Sequence, residues 1–512
     1  MHPKNVYKTG VSFAQLAKEY PGLAKCLKGT SSIDFHDPES IRQLAKALLK
    51  KEFKLEVDLP EDRLCPGVPN RLNYILWLND LLVDTHEERS SPGPLQVTGI
   101  DIGTGASAIY PLLGCAQFST WHFLATEIDA KSLASAATNI SQNSLEDRIT
   151  LLDVSSSSKI LPEEITSHPQ AIDFTMCNPP FYTSINDMLS SAKTKAVPPL
   201  SACTGSTTEM VTDGGEVAFV NRMVEESLKL REKVRWYTSM LGKRSSVEKV
   251  VEKLKESGVG NYVVGEFVQG AKTKRWAVGW SFGDRRAGDH ISRQPTSHSL
   301  KSHLPFPTTF KIPLPTEAGL PTLLTEAGLP TLLPQVEELI KKACGEFPTE
   351  SFEWGSIPLP YFTTMYGTVE NLYSNGKGET SGNTWARAAR RRRKMLEKEA
   401  AERRATEIPT EPRFRFAAGI FIGSAGPAPA IKGNLNVQEE KKKDDEDPEL
   451  MDETDAWDHD FISLPASSME PEAGKGSYVL LRWTRGVDHV VWESFCGMLR
   501  RKVLEGLAGA KT

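Results

Sequence analysis

"GIDIGTGAS", Gly99 to Ser107, decides how this 512-residue chain folds. It closes a short apolar run, "QVTGIDIG", with Gly103, Thr104 and Gly105, and a helical pattern follows directly. Glycines at that turn let the backbone approach a ligand closely, and the start of the following helix presents free amides. The next apolar run, "WHFLATEID", ends on Glu127, 24 residues after Gly103. That is close to the spacing at which an acid meets ribose hydroxyls in this architecture. Working outward, "AKSLASAATNISQN" is helical, "AIDFTMCNPPFY" holds another apolar run, and "KVRWYTSMLG", "NYVVGEFVQG" and "KRWAVGWSFGD" read as the last strands, reaching Asp284. Alternation of this kind predicts an α/β fold of βαβ units, with ligand sites at the carboxyl ends of a mostly parallel sheet.

The glycine turn and its acid point to an adenosine-containing cofactor, and NAD, ATP and S-adenosylmethionine are all open at that point. No G-x-x-x-x-G-K-[ST] is present, which disfavours phosphoryl transfer from a P-loop. Ala108 stands where a dinucleotide fingerprint needs its third glycine. With no pyrophosphate to cradle, S-adenosylmethionine fits best.

"MCNPPFY", Met176 to Tyr182, supplies the chemistry. Two adjacent prolines remove two backbone donors and end the strand. The amide oxygen of Asn178 and the carbonyl of Pro179 then form two acceptors converging on one small donor. An exocyclic amine conjugated to a base ring is a poor nucleophile because its lone pair is delocalised. Accepting both its hydrogens favours a pyramidal nitrogen, and in-line displacement follows from positioning and electrostatics. Pro180 completes the turn, and Phe181 or Tyr182 can stack on the base. An adenine inside a duplex is out of reach, so the target is flipped or unpaired.

Residues 1–90 read as helical. In "DPESIRQLAKALLKKEF", Asp37 caps, Pro38 takes the first helical position, and Ile41, Leu44, Ala45, Leu48 and Leu49 recur at helical spacing. Residues 91–284 hold the α/β pattern, and 285–334 form a linker rich in Pro, Ser and Thr. That linker carries the nine-residue copy "TEAGLPTLL" at Thr316 and again at Thr325. Residues 335–512 read as a small α+β accessory domain with a disordered acidic insert near 425–475. The net charge of −5 conceals segregation: Lys229 to Arg275 and "WARAARRRRK" are basic, and "KKKDDEDPELMDETDAWDHD" ends in acids. A polyanion-binding face set against a solvating tract has this pattern. The seven cysteines are scattered without a C-x-x-C pair, which argues against a disulfide framework and a metal site. No stretch has the apolar length of a membrane span or a signal sequence, and the expectation is an intracellular protein.

"VPNRLNYILWLNDLL", "GIDIGTGASAIYPLLG", "FLATEIDA", "CNPPFY", "TGSTTEMVTDGGEVAFVNRM", "RWYTSMLGKRSSV" and "EFVQGAKTKRWAVGWSF" together resemble the U6 small nuclear RNA adenine N(6)-methyltransferases over nearly all of residues 1–284. Their more distant bacterial relatives act on an adenine of ribosomal RNA. The resemblance implies a class I methyltransferase fold with mostly parallel strands and helices on both faces, and an N-terminal helical segment that helps form an RNA groove. It implies S-adenosylmethionine contacts at Arg71, Gly103, Ser107, Glu127 and Asn178, and at Ser158, which takes the family's threonine position in a loop gating the cofactor. Acceptor and stacking roles fall on Asn178, Pro179, Pro180 and Phe181. Lys243, Arg244, Lys272, Lys274 and Arg275 would hold RNA phosphates. The expected partner is U6 small nuclear RNA, with structured messenger RNA as a further substrate class, no membrane and no metal. The expected location is the nucleus, with the cytoplasm open as well. Arg390 to Lys394 is either a nuclear localisation signal or another RNA contact. Two alternatives stand beside this reading: an RNA-binding regulator with a non-catalytic fold, and an amino methyltransferase acting on a different RNA.

Overall fold

The computed structural model describes residues 1–29, 31–86, 95–169, 171–185, 205–269, 273–295, 297–314, 329–345, 349–355, 372–381, 413–421 and 478–509. They form two compact units. The first comprises Met1–Gly283 with Ile291–Pro305, and the second begins with Asp284–His290 and Phe306 onward.

In the first unit, α1 (Pro38–Phe53) starts as its sequence dictates: the Asp37 carboxylate accepts from the Ser40 amide at 2.9 Å, with Pro38 in the first turn. Its apolar stripe of Ile41, Leu44, Ala45, Leu48 and Leu49 is buried. α2 (Val68–Asp84) is buried almost all round, its polar Asn70, Arg71 and Asn73 included. Between them, residues 54–67 form a strap without regular secondary structure, yet Leu55, Val57, Leu59, Arg63 and Cys65 are buried.

The central sheet contains β1 (Val97–Ile102), β2 (Trp121–Glu127), β3 (Ile149–Asp153), β4 (Ile172–Cys177), β5 (Val234–Leu241), β6 (Tyr262–Gln269) and β7 (Thr273–Trp280), in the order β3-β2-β1-β4-β5-β7-β6. β1 to β5 pair in parallel, and β7 runs antiparallel to both β5 and β6. α3 (Ile109–Gln117), α4 (Ala130–Gln142), α5 (Gly215–Leu230) and α6 (Arg244–Glu256) are the helical connections. Chain order reverses between β1 and β4, and there Ile102 sits opposite both Thr126 and Cys177. The carboxyl ends of β1, β2 and β4 are therefore level. A crevice at such a switch point is where a doubly wound sheet binds its ligand. It lies between the "GTG" and "NPPF" loops.

The stretch read as a linker, 285–334, is structured in part. Residues 289–292 and 298–303 are helical turns, and β8 (Thr309–Pro313) is a strand. Ile291 and Leu300 are buried in the first unit, where the Trp77 indole donates to the Ile291 carbonyl at 3.2 Å. Pro, Ser and Thr bias masked these two apolar anchors. The two "TEAGLPTLL" copies fall mostly on residues 315–328, outside the described residues.

The second unit is a fully antiparallel sheet of β8, β9 (Thr349–Gly355), β10 (Leu372–Ser381), β11 (Arg413–Phe421) and β12 (Tyr478–Arg485), in the order β8-β12-β11-β10-β9. Helices α7 (Leu329–Gly345) and α8 (His489–Gly509) contribute Val336, Ile340, Trp492, Phe495 and Leu499 to its core, against Phe416, Ile420, Val479, Leu481 and Trp483. The sheet's edge strand thus precedes the boundary expected near residue 335. Arg390 to Lys394 and the acidic insert at 425–475 lie outside the described residues. Among the described residues, no helix is long and apolar enough to cross a membrane.

Candidate active site

The glycine turn after β1 has the backbone its sequence demands. Gly103 and Gly105 both lie at positive φ, +70° and +67°, and a Cβ on Gly103 would meet open space. Ala108 also has a left-handed φ of +49°, where a third glycine would have been free of strain. At the end of β2, Glu127 is buried and its carboxylate is fully organised by backbone. Oε2 accepts from Gly105 at 2.8 Å, and Oε1 accepts from Ile128 and Asp129 at 2.8 and 3.0 Å. Three amides orient the acid and tie it to the glycine loop. Ser107, in the same loop, is buried.

Arg71 projects from α2. It is 2 % exposed, donates to the Tyr110 hydroxyl at 3.0 Å and stacks over the same ring. Asp101, one residue before the end of β1, was not singled out by the sequence reading. It is fully buried, and among the described residues neither carboxylate oxygen has a partner at full hydrogen-bond geometry, the Thr104 hydroxyl being its polar neighbour. Burial raises its carboxyl to about 7; the nearby Thr104 hydroxyl and Arg71 pull it down, and Glu127 pushes it up. A cation and an acid in one buried corner match a zwitterionic group.

Asn178 follows β4 directly. Its Oδ1 is buried and has no hydrogen-bond partner among the described residues, which is the condition the acceptor role requires. Pro179 is buried behind it, and Pro180 is half-buried. Phe181 and Tyr182 pack with Met210, Leu64 and Val211. The Tyr182 amide donates to the Met210 carbonyl at 3.0 Å, and its carbonyl accepts from Thr212 at 2.9 Å. Gly214 and Gly215, both at positive φ, let α5 start against this loop: a Cβ on Gly215 would stand 3.2 Å from the Phe181 carbonyl.

The remaining expected residues divide. Ser158 is exposed, and its carbonyl accepts from Arg222 at 3.1 Å, while the Ile160 and Leu161 amides donate to Glu226. α5 therefore clips the loop that carries Ser158. Lys243 precedes α6, with its amide held by Glu216 at 3.1 Å; burial raises the Glu216 carboxyl. Arg244 faces Glu248 at 3.8 Å, and Lys274 pairs with Glu266 at 3.3 Å. Arg275 departs from its expected place on an open phosphate-binding face. It is 3 % exposed, with its guanidinium 6.0 Å over the Phe181 ring. Strand alternation on β7 turns Lys274 outward and Arg275 inward, which a count of basic residues does not register. Lys272 lies outside the described residues.

Comparison with known proteins meets this geometry in the same region. A family profile described as RNA methyltransferase matches residues 1–284. Over 273 residues, the chain is 45% identical to the U6 small nuclear RNA (adenine-(43)-N(6))-methyltransferase of Schizosaccharomyces pombe, covering 53% of this chain and 68% of the relative. It is 32% identical over 521 residues to the RNA N(6)-adenosine-methyltransferase mettl16 of Danio rerio, covering 99% of this chain and 98% of the relative. Among solved structures, it is similar to the hMettl16 catalytic domain in complex with MAT2A 3'UTR hairpin 1, with 40% identity and a TM-score of 0.51. That likeness covers 55% of this chain and 95% of the other.

Proposed function

The chain belongs to the RNA methyltransferase family, and on that premise we propose that it transfers a methyl group from S-adenosylmethionine to the exocyclic amine of an adenosine in structured RNA. U6 small nuclear RNA is the first substrate to test. The observation that carries this reading is the buried, partnerless Oδ1 of Asn178 at the end of β4, level with the glycine loop of β1. The names of the yeast and zebrafish relatives support the adenine N(6) position.

The residues fit the cofactor. Glu127 stands where ribose hydroxyls would donate, Gly103 leaves room for close approach, and Arg71 with Asp101 would take a carboxylate and an ammonium. When bound, the cofactor supplies an electrophilic methyl on a sulfonium. The Asn178 oxygen accepts an N–H of the target amine and aligns its lone pair, and the Phe181 loop gives the flipped base a surface. Burial of Oδ1 strengthens that hydrogen bond, because a low local dielectric favours it.

The half-buried basic side chains Lys243 and Lys274 serve as phosphate contacts in this reading, with Arg275 backing Phe181. The second unit serves as an accessory RNA-binding domain, with exposed Arg415 on its sheet and Lys311 over the Tyr478 ring. A U6 substrate places the protein in the nucleus. The test is transfer of labelled methyl to a U6 transcript by wild type and by Asn178→Ala, with a second transcript whose candidate adenine is replaced. Label only with wild type and the intact adenine is the expected result; label on the replaced transcript overturns the target, and an active Asn178→Ala overturns the mechanism.

A further inference from the structure

Resting on that reading, we propose that Glu209 is a positioning residue that couples cofactor binding to the seating of the target base. Its carboxylate caps its own helical turn through Ser206 and ties that turn to Leu64, 145 residues away in the chain. Oε2 accepts from the Ser206 amide at 2.7 Å, the Ser206 hydroxyl at 2.9 Å and the Leu64 amide at 3.1 Å. Oε1 accepts from the Leu64 amide at 3.3 Å and faces the glycine loop, 3.7 Å from where a Cβ on Gly105 would stand. Gly105 is the residue whose amide is fixed by Glu127.

On its other side, Glu209 governs the aromatic platform. It belongs to the helical turn Thr207–Met210, whose Met210 carbonyl takes the Tyr182 amide at 3.0 Å. The Leu64 side chain packs against the same Phe181, Tyr182 and Met210 cluster. One residue earlier in the strap, Arg63 donates to Asp129 at 2.8 Å and to Ser132 at 3.1 Å, just beyond Glu127. The strap thus holds the end of β2 and the base loop together, and Glu209 bonds that strap to the turn beneath Tyr182. A cofactor that fixes Gly105 and Glu127 also fixes Leu64 and the turn beneath Tyr182. The RNA then binds to a loop already ordered, and the ordering entropy is not charged twice. Coupling of this kind is reciprocal.

The experiment uses the full chain, S-adenosylhomocysteine and a U6 transcript, and measures the affinity of each ligand with and without the other by calorimetry and fluorescence anisotropy. In wild type each ligand should tighten the other by about tenfold, by the same factor in both directions. Glu209→Ala should reduce that factor to less than about twofold while each ligand alone binds within about threefold of wild type. Wild-type coupling in Glu209→Ala overturns the proposal, as does loss of both separate affinities, which marks a structural role only. If the alanine variant does not fold, Glu209→Gln decides. The amide keeps the shape but only one acceptor oxygen, so the factor should fall by at least about threefold, and an unchanged factor overturns the proposal. A wild type that binds both ligands without coupling sinks this inference alone. A wild type that binds no S-adenosylhomocysteine sinks the methyltransferase reading with it.

Discussion

The Asn178 oxygen is a stability cost that the free protein carries for its reaction. A buried acceptor without a donor costs about 1–3 kcal/mol, and a bound amine relieves it. Asn178→Ala should therefore lower single-turnover methyl transfer by about 10²- to 10³-fold while leaving the melting temperature equal or higher. A variant that melts well below wild type would show that the side chain holds the fold instead. Asp101 gives a second prediction with a definite sign. Its folded carboxyl lies at about 7, against about 3.9 when unfolded. Between those values the folded state keeps a proton that the unfolded state releases. Stability from this group is complete below about pH 4 and falls by about 1.4 kcal/mol per unit as pH rises towards 7. Denaturant unfolding of the cofactor-free protein at pH 5 and pH 7.5 should show this decline in wild type and its loss in Asp101→Asn. Identical pH dependence in the two proteins would refute it.

Among the elements, what could be read in the sequence is what the chain specifies locally. The strand periods, the "GTG" turn and the "NPPF" stop are punctuated by their own glycines and prolines, so their places at the ends of β1 and β4 follow from residues within a few positions. Gly99, Glu209 and Asp101 were silent because their roles depend on what lies across from them. Gly99 lies within β1, and a Cβ there would come within 2.2 Å of the Phe174 ring on the neighbouring β4. That ring is fully buried and packed against Trp121 and Phe123, with centroids 5.3 and 5.8 Å away, so it has nowhere to move. Gly99→Ala should destabilise the protein by about 1–3 kcal/mol in denaturant unfolding. Pairing it with Phe174→Leu should recover part of that loss, because adjacent sites are not additive. Full additivity of the two changes would contradict the close approach. Arg275 illustrates the same limit: its charge was legible, and the inward face of β7 that aims it at Phe181 was not.

For the molecule as a whole, the position of the first unit's end follows from a few apolar residues and not from composition. Pro, Ser and Thr dominate the stretch after Asp284, which is why it reads as linker, yet Ile291 and Leu300 are buried at 2 % and 0 % exposure in the first unit. Backbone links reinforce them: the Gln294 amide donates to the Val264 carbonyl at 3.2 Å, the Gln294 side chain accepts from the Glu266 amide at 3.0 Å, and Lys255 reaches the Ser302 carbonyl at 3.1 Å. Each buried aliphatic side chain is worth about 1.5–3 kcal/mol. A fragment of residues 1–305 should therefore melt on the order of 10 °C above one of residues 1–284, since 1 kcal/mol moves a unit of this size by about 2–4 °C. The shorter fragment ends before either anchor and leaves α2 and α6 with exposed apolar surface where they packed. The two fragments share every residue assigned to the site, so at a temperature where both are folded they should bind S-adenosylhomocysteine equally. Calorimetric melting with a binding titration separates the two effects, and equal melting temperatures would show that residues 285–305 are linker after all.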